Sequence, residues 1–129
     1  MTEELVTLEI AKLLKEKGFV WECERTISCD KIIRRWNHPQ YISCCTEIDG
    51  ELVEFLCPTL YVAQKWLRET KNIHICVYNC ACGYGYEISK ADNGTHIASS
   101  TYKGTNDGGE WDTYEEALEA GIQEALKFI

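Results

Sequence analysis

The sequence predicts an α+β fold: helix, hairpin, helix, three-stranded antiparallel meander, helix, with the helices packed on the sheet. Three observations carry this. Three amphipathic stretches are bounded by helix start and stop residues. Two turn dipeptides, Asp49-Gly50 and Asn93-Gly94, sit between β-favouring runs. Apolar and polar residues alternate from Ile73 onward, the period of a half-buried strand. With 129 residues the chain is expected to form a single domain, 1–129. A domain of that length buries roughly two-thirds of its unfolded surface and folds without staples.

The first helix is expected from about Thr2 to Lys17, with Glu3 and Glu4 in its first turn and Gly18 just past its end. Val6, Ile10, Ala11, Leu13 and Leu14 form its apolar stripe. Residues 19–40 give no firm signal beyond extended or irregular structure, and "YISCCTEIDGELVEFL" predicts a tight hairpin at Asp49-Gly50. The second helix is expected to begin at Pro58, preorganised for a first helical turn, with Leu60, Val62, Ala63, Trp66 and Leu67 on one side. Strands follow at about Ile73–Asn79, Tyr84–Ala91 and Thr95–Tyr102. A two-residue turn at Asn93-Gly94 would set Lys90 opposite Ile97, Ile88 opposite Ser99, Tyr86 opposite Thr101 and Gly85 opposite Tyr102. Tyr84, Tyr86, Ile88 and Ile97 then share the core face, and Glu87, Ser89, His96, Ser100 and Tyr102 the other. The third helix opens at Thr113, with Glu116 at capping-box spacing and Leu118, Ile122, Ala125 and Ile129 as its stripe. Trp111, just before the cap, is placed to pack back on it.

"CVYNCACGYGYE", Cys76 to Glu87, is the stretch that most resembles chemistry. Two thiolates on one zinc lie at most about 4.6 Å apart. Residues i and i+4 of a strand are about 13 Å apart, so Cys76 and Cys80 cannot share an ion on a continuous strand. Cys80 and Cys82 could, with further ligands from Cys44 or Cys45 or a histidine. A Cys-x-x-Cys pair is absent, so neither a common zinc framework nor a thioredoxin-like motif is present. The stretch is expected to be strand, glycine-softened turn, strand. Gly83-x-Gly85 lacks the third glycine and following helix of a dinucleotide fingerprint. No local motif nominates a cysteine–histidine nucleophile, and no cofactor is implied.

Formal net charge is −8, and the surplus is uneven: residues 1–71 carry 10 basic and 12 acidic groups, residues 72–129 carry 3 and 9. Direct binding to nucleic acid is not expected, because phosphate contacts need a lysine and arginine footprint. The one basic knot, Lys31 to His38 ("KIIRRWNH"), is expected to be a solvated rim. No run approaches the roughly 20 apolar residues that span a bilayer, and the N-terminus lacks the layout of a signal peptide. The expected location is cytoplasmic, which also sets aside the Asn93-Gly94-Thr95 glycosylation pattern and disulfide pairing of the eight cysteines.

At "PTLYVAQKWLRE", "NIHI", "IASS" and "TYEEALEAGIQEALKFI" the chain resembles a group of small uncharacterised proteins of gut anaerobic bacteria, many carried by phages or other mobile elements. The resemblance covers the first helix, the second with the strand after it, and the last third of the chain. It implies a bacterial or phage cytosol and a small accessory protein. Residues 19–57 and the cysteine-rich turn depart from the pattern, and no functional residues carry over.

The function expected is a non-catalytic module that binds a protein partner. The face meant to do so holds His74, Cys76, Tyr78, His96 and Tyr102, a mixture of aromatic and polar groups suited to an interface core. A sharper version is a phage inhibitor of a host defence enzyme, its acidic surface competing for a nucleic-acid groove. A different class of function is a small zinc-binding protein using Cys44, Cys45, Cys80 and Cys82.

Overall fold

Thr7 starts the first helix in the computed structural model, which describes residues 4–40, 47–48, 51–52, 54–80, 83–99 and 111–129. The fold is α+β: three helices and two three-stranded antiparallel sheets, with helices packed against strands. The chain divides into two compact units, Met1–Val62 and Ala63–Ile129.

In the first unit, α1 spans Leu8–Glu16, shorter than the Thr2 start predicted from Glu3 and Glu4. The Thr7 hydroxyl accepts from the Ile10 amide at 3.3 Å, filling the role of a preceding turn. Residues before it are held extended instead: Leu5 bridges Thr59, Val6 N–H donates to the Pro58 carbonyl, and Leu60 N–H donates to that of Glu4. At the other end Gly18 has φ +93°, and Phe19 and Gly18 amides donate to the Leu14 and Lys15 carbonyls. This is the Schellman pattern, with Phe19 and Leu14 both buried beside it.

β1 (Cys23–Ser28) is the centre of a sheet ordered β2-β1-β5, with β2 Ile33–Gln40 and β5 Glu54–Leu56. The β1–β2 turn is closed by Ser28, whose hydroxyl accepts from the Ile32 amide while Lys31 takes φ +64°. Between Arg25↔Arg35 and Cys23↔Gln40, β2 bulges outward, since two steps along β1 match five along β2. The basic knot lies on this strand but is not purely a solvated rim. Arg34 pairs with the buried Glu54 at 2.8 Å and stacks 4.4 Å over the Trp36 ring. The Thr26 hydroxyl donates to Glu54 and accepts from Trp36 Nε1, which closes the network. A short pair, β3 (Glu47–Ile48) and β4 (Glu51–Leu52), forms the expected hairpin, and its Asp49-Gly50 tip lies outside the described residues. Helix α2 (Leu60–Thr70) begins after Pro58, not at it: the Thr59 hydroxyl accepts from the Val62 amide at 3.2 Å. Proline has no side-chain acceptor for a first-turn amide, and threonine does.

In the second unit α2 ends at Thr70, and two residues on Asn72, with φ +58°, lets the chain reverse into β6 (Ile73–Cys80). The Asn72 carbonyl and side-chain oxygen accept from Ala91 and Asp92 amides, so the same residue holds the later β7–β8 turn. β6 pairs along its whole length with β7 (Gly83–Lys90), from Ile73↔Lys90 to Cys80↔Gly83. The Gln64 side chain donates to the Ile75 carbonyl. The pairing of β7 with β8 (His96–Ser99) corrects the predicted register: Ile88 meets Ala98, Glu87 meets Ser99 and Ser89 meets His96. Four residues, Ala91 to Gly94, form the turn, closed by Lys90 N–H to the Thr95 carbonyl and Gly94 N–H to that of Lys90. A bulge at Ile97 then absorbs one residue. Thr101 and Tyr102, the other predicted partners, lie outside the described residues.

Helix α3 (Tyr114–Leu126) is capped by Thr113, which accepts from the Glu116 amide and donates to its carboxylate. Its buried stripe is Ala117, Leu118, Gly121, Ile122, Ala125 and Leu126, packed on Ile75, Tyr86 and their neighbours in β6 and β7. Gly121 permits that approach. Trp111 pairs backbone to backbone with Tyr84 and sets its ring 5.5 Å from Tyr86. Among the described residues no helix is long and apolar enough to cross a membrane.

Candidate functional site

Strand alternation on β6 sends Ile73 and Ile75 into the core under α3 and His74, Cys76 and Tyr78 to the opposite face. Pairing adds the neighbours: Ser89 beside His74, Glu87 beside Cys76, and Gly85 beside Tyr78. The third strand contributes His96 next to Ser89 and Ser99 next to Glu87. Four of the five residues expected on this face are therefore brought together. The fifth, Tyr102, lies outside the described residues. Tyr78 is paired with Gly85, so its ring stands next to that bare backbone.

Exposure across the face is graded. Cys76, Glu87 and His96 are exposed, His74 and Tyr78 half-buried, and Ser99 is buried. His96 Nδ1 lies 3.8 Å from Glu87, a contact that becomes an ion pair only when the imidazole is protonated. His74 Nδ1 is buried and has no hydrogen-bond partner, which leaves a polar atom of this face unsatisfied. Set against protein-family models, curated proteins and solved structures, the chain matches none of them.

The metal expectation cannot be followed on its own residues, because Cys44, Cys45, Cys82 and the side chain of Cys80 lie outside the described residues. β6 is continuous from Ile73 to Cys80, so the condition that kept Cys76 and Cys80 from sharing an ion holds. Among the described residues no group of three or more His, Cys, Asp or Glu side chains converges as a metal site.

Two cavities had no sequence signal. In the first unit one of about 230 Å³ is lined by Cys23, Cys57, Pro58 and Val62, with Glu22, Glu24, Arg25 and Thr59 completing its wall. Burial pushes the Cys23 thiol up to about 12, helped by nearby Cys57 and Glu22, and the Cys57 thiol up to about 11 against a smaller opposing pull from Arg25. Neither is a ready nucleophile. Pairing of β1 with the chain around β5 brings together two cysteines distant in sequence, which spacing rules do not detect. In the second unit a cavity of about 270 Å³ lies between Trp111 and the Glu116, Glu119, Ala120 and Gln123 side of α3.

Proposed function

We propose that the protein is a non-catalytic interaction module that binds a protein partner through the face of β6, β7 and β8 opposite α3. The observation that carries this is the division of the sheet: α3 packs on the Ile75 and Tyr86 side, while Cys76, Glu87 and His96 stand exposed on the other. Around them lie a half-buried tyrosine and a histidine with an unsatisfied ring nitrogen. Rigid aromatic surface with adaptable polar groups is the composition of interface centres. The resemblance to small phage-borne proteins supports an accessory role of this kind, in which the partner is a host or phage regulatory component. The acidic second half favours a partner with a basic surface.

The test is a partner captured by photocrosslinking from this face, followed by affinity measurement with purified components. Cys76→Arg and Glu87→Arg are each expected to weaken binding by about tenfold or more, with the melting temperature unchanged. Lys12→Glu, on α1, should leave affinity as it is. Binding that ignores both face variants would sink the assignment.

A further inference from the structure

Cys23 and Cys57 line one cavity of about 230 Å³, and both are free and buried. Leu56 pairs with Thr26, and the Cys57 amide donates to the Arg25 carbonyl at 2.9 Å. Arg25 is therefore opposite Cys57, and Cys23 lies one diagonal step away on the same face. Diagonal neighbours of an antiparallel pair sit about 7–8 Å apart, with their Cβ atoms somewhat closer. A disulfide needs Cβ atoms near about 4 Å, so this diagonal does not close into an S–S bond without backbone movement. An ion between the sulfurs needs less: two metal–thiolate bonds in line span about 4.5 Å, within reach of both side chains.

The number of donors decides which ion fits. Zinc takes three or four protein ligands, and no such group converges among the described residues. Two thiolates alone suit a soft monovalent ion. Among the described residues each thiol donates to one carbonyl, Cys23 to Trp21 and Cys57 to Val6, both at 3.6 Å; a thiol is a weak donor, so turning toward the cavity sacrifices little. Two protons leave for one cation that enters, so the filled site carries one negative charge; Arg25 on the cavity wall favours it, Glu22 and Glu24 oppose it, and Pro58 and Val62 are the apolar part.

We propose that Cys23 and Cys57 form a two-coordinate site for a soft monovalent metal ion, of the chemical class of Cu(I), held between their sulfurs. Two S–H bonds break, two S–Cu bonds form, and both protons leave to solvent. Copper enters and stays as Cu(I), so no oxidant or reductant takes part. Neither ligand belongs to the residues of the proposed partner-binding face or to the Cys44, Cys45, Cys80 and Cys82 set.

The test gives the full chain, without oxygen, one equivalent of Cu(I) as its acetonitrile complex in the presence of a competing Cu(I) chelator. Native mass spectrometry reads the bound ion and copper X-ray absorption reads its ligands. One retained ion with two sulfurs in line is expected. Cys23→Ser and Cys57→Ser should each weaken binding by at least about 100-fold. A variant with Cys29, Cys44, Cys45, Cys76, Cys80 and Cys82 all changed to serine should keep the two-sulfur ion, since only the proposed pair remains. Stripping of the wild-type chain by the chelator, a three-sulfur spectrum, or loss of the ion from a folded six-serine variant would overturn the assignment. Should the single variants fail to fold, as judged by circular dichroism, the six-serine chain decides alone.

Discussion

Gly121 sits where α3 comes closest to the sheet, and a Cβ there would stand 2.8 Å from Ile75 Cγ2 and 3.2 Å from Tyr86 Cγ. Ile75 is fully buried and branched, so its methyl has nowhere to move. Overpacking of this kind costs about 1–3 kcal/mol, while replacing a helical glycine by alanine returns at most about 1 kcal/mol. Gly121→Ala should therefore lower the unfolding free energy in urea; a variant as stable as the parent would mean that Ile75 and Tyr86 can yield. At this scale the second sheet was legible. Ile73 and Ile75 mark the inward side of β6, and period two then assigns His74, Cys76 and Tyr78 without further information. The Thr26 network was not, because its members lie on three strands and only pairing brings Glu54 to Arg34 and Trp36.

Asn72 governs two elements at once. Its positive φ turns the chain from α2 into β6, and its side-chain oxygen accepts from the Asp92 amide in the β7–β8 turn. Asn72→Gly keeps the backbone and loses that bond, for an expected loss of about 0.5–1.5 kcal/mol. Asn72→Val should lose about 1–2 kcal/mol more, since a branched residue resists the left-handed region. Equal melting temperatures for the two variants would remove the backbone argument. Elements with their own signals were read well: α3 from Thr113 and Glu116, and β6 and β7 from alternation around the glycines. The α2 start moved from Pro58 to Thr59, which has the side-chain acceptor that proline lacks, and the α1 start moved to Thr7 because Leu5 and Val6 are held extended against Thr59 and Pro58. The β7–β8 register failed for a different reason. Asn93-Gly94 does lie in the turn, but the turn takes four residues, which sets His96 beside Ser89 on its expected face, and the bulge at Ile97 then carries Ser99 across to the face of Glu87. The first sheet left little trace because β2 is exposed on nearly every residue and so shows no alternation, while its turn uses Lys31 at positive φ where glycine or asparagine would have signalled it.

At the scale of the molecule, the two buried thiols set an alkaline limit on stability. A thiol is neutral when protonated, and burial holds Cys23 at about 12 and Cys57 at about 11 in the folded chain. Unfolded thiols titrate near about 8.5. The folded state thus binds these protons more tightly; the contribution is fully present below the unfolded value and is lost as pH rises through the folded ones. In the metal-free protein, unfolding free energy should decline from about pH 9 toward pH 12, and Cys23→Ala with Cys57→Ala should decline less steeply. Identical slopes for the two proteins would contradict this. Division into two units was invisible in the sequence, since it depends on which strands pair and no linker composition marks it. It also falls inside α2, after Val62. Cutting there would open a helical turn, leaving one fragment with unsatisfied carbonyls and the other with unsatisfied amides. A split of this chain for reassembly or gene fusion accordingly has no clean joint at the point where its packing divides.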